Sequence, residues 1–105
     1  MLKQKFIVSI DQGTTSSRAI LFDLKGRPKF VSQMEFKQYF PRDGWVEHNP
    51  EEIWSTTKKV LKNVIEKSKK LNGKILTIGI TNQRETTILW DKHTGKTVYN
   101  AIVWQ

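Results

Sequence analysis

Cysteine is absent from this chain, so neither a disulfide framework nor a thiolate metal site can exist. Long apolar runs are absent too. No segment approaches the roughly 20 apolar residues that a membrane span needs. The opening MLKQKFIVSI sets lysines ahead of an apolar run, but Asp11 breaks it and it is too short for a signal peptide. Histidine occurs only at His48 and His93, which share no metal-ligand spacing. Acidic residues are few: 10 Asp and Glu stand against 18 Lys and Arg, a net charge of +8. There is no internal repeat, low-complexity tract or interdomain linker. A soluble cytoplasmic protein without membrane insertion is the expectation.

What is present suits one domain. A chain of 105 residues can bury about two-thirds of its unfolded surface, and 37% hydrophobic residues is low but compatible with a globular fold. The positive excess could attract nucleic acid, a membrane surface or small anions. Much of it sits at Lys58, Lys59, Lys62, Lys67, Lys69 and Lys70, within one helical pattern, and reads as a solvated face. No RNA motif or aromatic interleaving accompanies it, so no nucleic-acid partner is expected.

Apolar, β-branched Phe6–Ile10 predicts a buried strand, and Arg18–Asp23 its partner. Leu24 to Pro28 is a turn, and Lys29–Phe36 a third strand, which together predict an antiparallel meander. Residues 39–49 read as a loop. Asn49-Pro50-Glu51-Glu52 then opens a helix: a cap, a proline at the first position and acids at the positive end. Ile53, Trp54, Thr57, Val60, Leu61, Val64, Ile65, Ser68 and Leu71 follow helical spacing, and Asn72-Gly73 stops it. Strands are predicted at Leu76–Thr81, Thr86–Trp90 and Thr97–Trp104, the last two around a turn at residues 91–96. Trp45 and Trp54 are expected to anchor core or loop, His48 to be structural and His93 to be exposed. The chain stops inside or just after a predicted strand, which suggests a truncated segment whose last strand offers an unpaired edge for association.

The most telling stretch is IVSIDQGTTSSRAILFD, residues 7–23. A strand ends at Asp11, and a polar turn carries Gly13, Thr14, Thr15, Ser16 and Ser17 before Arg18 opens the next strand. Gly13 allows close backbone approach. Successive N–H groups make an anion-binding concavity, and the hydroxyls and Arg18 add donors and charge. Asp11 could hold Mg²⁺ directly or through water. A P-loop is excluded, because GxxxxGK[ST] is missing and the turn leads into a strand; GxGxxG is also missing. From the residues alone, an ordinary polar hairpin stands beside the phosphate reading. A surface ion pair likewise stands beside any ligand role for Arg84 and Glu85.

DQGTTSSR resembles the first phosphate motif of the actin-like ATPase fold shared by sugar kinases, hexokinases and actin. GWVEHNPEEIW, residues 44–54, resembles the FGGY carbohydrate kinases. ITNQRETTILWD, residues 80–91, and YNAIVWQ, residues 99–105, are similar to the glycerol kinase branch of that family. The resemblance implies an α/β fold: a partial actin-like ATPase (ribonuclease H-like) domain with a mixed sheet, a βββαβ start and a following hairpin. Residues 1–105 would be the N-terminal part of the first domain, without the second.

The implied chemistry is transfer of the ATP γ-phosphoryl group to glycerol, giving sn-glycerol 3-phosphate, with ATP and Mg²⁺ as cofactors. Asp11 would serve Mg²⁺. Thr14, Thr15, Ser16 and Arg18 would bind nucleotide phosphates. Arg84 and Glu85 would bind glycerol hydroxyls, and Trp104 would pack on the carbon chain. Arg84 donates in a fixed fork and Glu85 accepts, which suits a polyol. As neighbours in a strand they would face opposite ways, so a shared ligand requires the backbone to turn there. The family's catalytic aspartate lies beyond Gln105, so no catalytic residue is assigned and this chain alone is expected to be inactive. Another FGGY kinase and a non-catalytic binding module are the alternatives.

Overall fold

The computed structural model describes residues 3–103. Its elements are β1 (Gln4–Gln12), β2 (Ser16–Asp23), β3 (Pro28–Glu35), β4 (Val46–His48), α1 (Pro50–Lys70), β5 (Gly73–Thr81), β6 (Thr86–Thr87) and β7 (Ala101–Val103). A four-stranded sheet has the order β3-β2-β1-β5. The first three strands form the predicted antiparallel meander, and β5 joins β1 in parallel after the helix crosses over.

Alternation explains how this sheet packs. Phe6, Val8 and Ile10 point to one face of β1, and Ala19 and Leu21 join them from β2. Val60 and Val64 of α1 close the cluster, and all seven residues are buried. On the helix the buried line runs Thr56, Val60, Val64, Ser68, in strict steps of four. Trp54 lies off that line. It is 58% exposed, with the Lys58 ammonium 5.6 Å from its ring. The anchor expected there is therefore not a core residue. Trp45 is exposed as well, under the Arg42 guanidinium.

The helix begins as the sequence predicts. The Asn49 side chain accepts the Glu51 N–H at 2.9 Å, and Pro50 occupies the first turn. It ends at Leu71, with Asn72 left-handed at φ 52°. The Asn72 carbonyl then accepts the Gln4 N–H, tying the helix exit to β1. Gly73 is needed for close approach: a Cβ there would overlap the Phe6 ring.

The second half departs from the sequence reading. A short strand, β4, lies in what reads as loop. It forms a second sheet, in the order β4-β7-β6. The two long hairpin strands shrink to β6 and β7, joined further out only by a bridge between Trp90 and Thr97. Too few inward apolar residues alternate there to hold a longer ladder: Leu89, Trp90, Val98 and Tyr99 are all exposed. Because β7 is central, it does not supply the free edge expected of the last strand. The larger sheet has its edges at β3 and β5, and on β5 Leu76, Ile78 and Ile80 are exposed. No helix among the described residues is long and apolar enough to cross a membrane.

Candidate functional site

Since β1 and β5 run parallel, their C-terminal ends emerge side by side. Ligands in open α/β sheets bind outside such ends. A cavity of about 530 Å³ opens there, lined by Asp11, Gln12, Gly13, Thr14, Thr81, Asn82, Gln83 and Arg84. Two turns wall it, residues 13–15 after β1 and residues 82–85 after β5. The sheet thus joins segments that lie 70 residues apart in sequence, as the Thr81 hydroxyl donating to Asp11 Oδ1 at 3.2 Å illustrates.

The first turn is closed by the Gly13 N–H donating to the Ser16 carbonyl at 3.0 Å. Thr14 and Thr15 are exposed at its tip. Their carbonyls are held from below: Thr15 accepts the Phe36 N–H, and Thr14 accepts the Gln38 amide. Asp11 and Arg18 face each other across the β1–β2 ladder and pair at 2.6 Å, each over 40% exposed. Ser16 shares their sheet face by alternation but is buried, its Oγ accepting from Gln33 at 2.8 Å. Ser17 points the other way and is fully buried. It bonds Thr56, Thr57 and Gln12, and so pins the turn to α1 instead of offering a ligand donor. The cavity therefore collects Asp11, Thr14 and Arg84. Thr15, Ser16 and Arg18 adjoin it through the same turn and ladder without lining it.

In the second turn, Glu85 adopts φ 54°. A left-handed non-glycine residue stores strain of about 1–3 kcal/mol, a feature that clusters at functional sites. The backbone thus turns at Arg84-Glu85, as a shared ligand requires. The two side chains nonetheless open on different spaces. Arg84 lines the first cavity, and Glu85 lines a second of about 590 Å³ with Trp45, Glu47, Tyr99 and Ile102. Trp104 lies outside the described residues.

Three polar groups around this site are invisible to motif reading. Glu47 is buried in β4 and accepts from the Tyr99 hydroxyl at 2.9 Å and the Asn100 amide at 3.2 Å. That hydrogen bond to a carboxylate pushes the Tyr99 phenol above its ordinary value. His48 is fully buried, as a structural histidine should be. It sits between the side chains of Gln38 and Gln83, with burial lowering its pKa. The third is a pair of buried amide atoms at the cavity wall. Gln12 Nε2 and Gln83 Oε1 have no hydrogen-bond partner among the described residues. His93 is exposed in its turn. No group of three His, Cys, Asp or Glu that could hold a metal ion gathers among the described residues.

Residues 6–105 match the model of the FGGY family of carbohydrate kinases, N-terminal domain. A glycerol kinase of Limosilactobacillus reuteri (strain DSM 20016) is 61% identical over all 105 residues, which cover 21% of that protein. The crystal structure of Plasmodium falciparum glycerol kinase with ADP superimposes at a TM-score of 0.89. It is 38% identical, and the match covers 97% of this chain and 21% of that one. A ligand-bound xylulose kinase from Lactobacillus acidophilus shares the fold at a TM-score of 0.83, with 22% identity over 93% of this chain and 19% of that one. The chain spans about a fifth of the length of the curated relatives it matches. The antiparallel meander with a parallel fourth strand, the turns at the sheet's C-terminal end and these similarities agree: the chain belongs to the FGGY family of carbohydrate kinases, with the actin-like ATPase fold.

Proposed function

We propose that these residues are the N-terminal part of the first domain of a cytoplasmic glycerol kinase, and supply nucleotide and polyol contacts to it. The observation that carries this reading is the single cavity lined by both the Gly13-Thr14 turn and Arg84. Bound ATP with Mg²⁺ would supply the transferable phosphoryl group and neutralise its charge. Asp11 fits the metal's needs, because Mg²⁺ takes one or two carboxylates and keeps several waters. Its carboxylate is partly exposed at the cavity wall.

The chain's own residues do the positioning on which phosphoryl transfer depends. Thr14 and Thr15 bring N–H and hydroxyl groups to an exposed tip, held by bonds to their carbonyls. Ser16 Oγ accepts from Gln33, which leaves its own proton to donate. Arg18, braced by Asp11, adds positive charge beside that turn. Arg84 would donate to acceptor hydroxyls from the opposite wall, and Glu85, next in the same turn, would accept from the neighbouring cavity that it lines.

The test is glycerol-dependent ADP production by the protein carrying these residues, beside the same assay with a pentulose. Preference for glycerol is the expected outcome, and preference for the pentulose would move the chain to another branch of the family. Arg84→Ala should raise the glycerol KM at least tenfold, as loss of a charge-assisted bond of about 1.5–3 kcal/mol implies, with little change for ATP. Equal losses for both substrates would remove Arg84 from the polyol site. One observation favours a second reading, a non-catalytic binding module: the apolar residues exposed along the free edge of β5. A turnover-incompetent protein that captures a partner through that edge would establish it.

A further inference from the structure

We infer that His48 is a positioning residue. Its single imidazole ties the turn after β1 to the turn after β5, and so holds the two walls of the candidate site in register. The inference rests on the kinase reading for its catalytic consequence but on geometry alone for the tie. His48 is fully buried, and its ring stands edge-on to Phe36 with centroids 4.9 Å apart.

The direction of every proton along the tie follows from its two ends. The Thr86 hydroxyl donates to the Arg84 carbonyl at 3.2 Å, so toward Gln83 its oxygen can only accept. Gln83 therefore turns its amide NH₂ to Thr86, and the same nitrogen donates to His48 Nδ1 at 2.7 Å. At the other end, the Gln38 NH₂ donates to the Thr14 carbonyl at 3.0 Å. Gln38 thus presents its oxygen to the ring, and His48 Nε2–H donates to it at 2.5 Å. Only the neutral imidazole with its proton on Nε2 satisfies both neighbours. A protonated ring would set a second N–H against the Gln83 NH₂.

The tie reaches function because of what lies at each end. Thr14 lines the cavity, and fixing its carbonyl orients the peptide plane that this carbonyl shares with the Thr15 N–H. Gln83 and Arg84 line the same cavity from the far side, beside the left-handed Glu85. No other side chain among the described residues is bonded to both Gln38 and Gln83. Small misplacement of positioning groups is costly in such reactions.

The experiment uses the intact protein and three variants: His48→Phe, Gln38→Met and Gln83→Met. Hydrogen exchange is followed in the segments 13–18 and 82–86. His48→Phe is expected to speed exchange about tenfold in both segments, Gln38→Met in the first only and Gln83→Met in the second only. Acceleration confined to one segment, or to β4, in His48→Phe would overturn the tie.

Imidazole ¹⁵N spectra give a second readout. They should show His48 neutral with its proton on Nε2 at pH 7, and a proton on Nδ1 would overturn the assignment. In turnover, His48→Phe should raise the KM for glycerol and for ATP together by about tenfold. His48→Gln, which keeps one donor and one acceptor, should recover most of the loss, and failure to do so would leave His48 a packing residue only. A wild-type protein that shows the exchange pattern but no glycerol-dependent turnover would overturn the kinase reading and leave the tie standing.

Discussion

The two sheets of this molecule are held in different ways. The larger sheet is cemented by Phe6, Val8, Ile10, Ala19 and Leu21 against Val60 and Val64, all buried. The smaller one has strands of two or three residues and buries few large apolar groups. Its order depends on polar side chains: Glu47 bonded to Tyr99 and Asn100, and His48 bonded to Gln38 and Gln83. Apolar burial is non-directional and tolerant, whereas hydrogen bonds demand geometry. The candidate site sits on the border, one wall rooted in the robust sheet and the other tied to the delicate one.

The sharpest way to break this contrast is to weaken the strong side. Leu21→Ala should destabilise the fold by about 2–5 kcal/mol, read from urea unfolding, because a fully buried side chain leaves a cavity behind. A loss under 1 kcal/mol would mean that the larger sheet does not dominate stability. On the polar side, Glu47→Ala should cost about 1–3 kcal/mol, since two donors lose a buried acceptor. It should also let the Tyr99 phenol fall back toward its ordinary value, which ultraviolet titration would follow. An unchanged Tyr99 titration would show that the carboxylate is not its partner in solution.

Removing the helix cap probes the seam between the two sheets. Asn49→Ala should cost about 1 kcal/mol, because the Glu51 N–H loses its acceptor. The mildest perturbation is pH. Burial lowers the His48 pKa from 6.5, against the smaller opposing effects of the hydrogen bond with Gln83 and of the Glu52 charge. The unfolded chain therefore takes up this proton more readily than the folded one. The stabilisation is complete above about pH 6.5 and is lost as pH falls from there through the lowered folded value. His48→Gln should flatten that slope in unfolding experiments between pH 7 and 5. An unchanged slope would assign it to other groups.

How much was legible follows the same division. The apolar, β-branched run at 6–10 and the apolar stretch within 18–23 announced β1 and β2, and Asn49-Pro50-Glu51-Glu52 announced the helix start to the residue. Trp54 misled because helical spacing alone does not say which stripe faces the sheet. The stripe through Thr56, Val60, Val64 and Ser68 won, since its small side chains let the helix lie close. Strand β4 was missed because Val46-Glu47-His48 carries no pattern of its own. Its burial is imposed by partners from 38, 83, 99 and 100. Ser17 looked like a ligand donor within a run of hydroxyls, yet alternation turns it into the helix while its neighbour Ser16 shares the opposite sheet face with Arg18.

The sequence by itself determined the succession of β1, β2, β3, α1 and β5, the place of the polar turn after Asp11 and the family, because these depend on local period, capping and contiguous motifs. Only the tertiary structure decided that Thr14 and Arg84 share one cavity, that Arg84 and Glu85 open on different spaces, and that a buried imidazole links the two turns. Local patterns report what a residue prefers beside its neighbours in sequence. Which side chain meets it across the fold depends on how β5 docks against β1, and that is settled by the packed core as a whole.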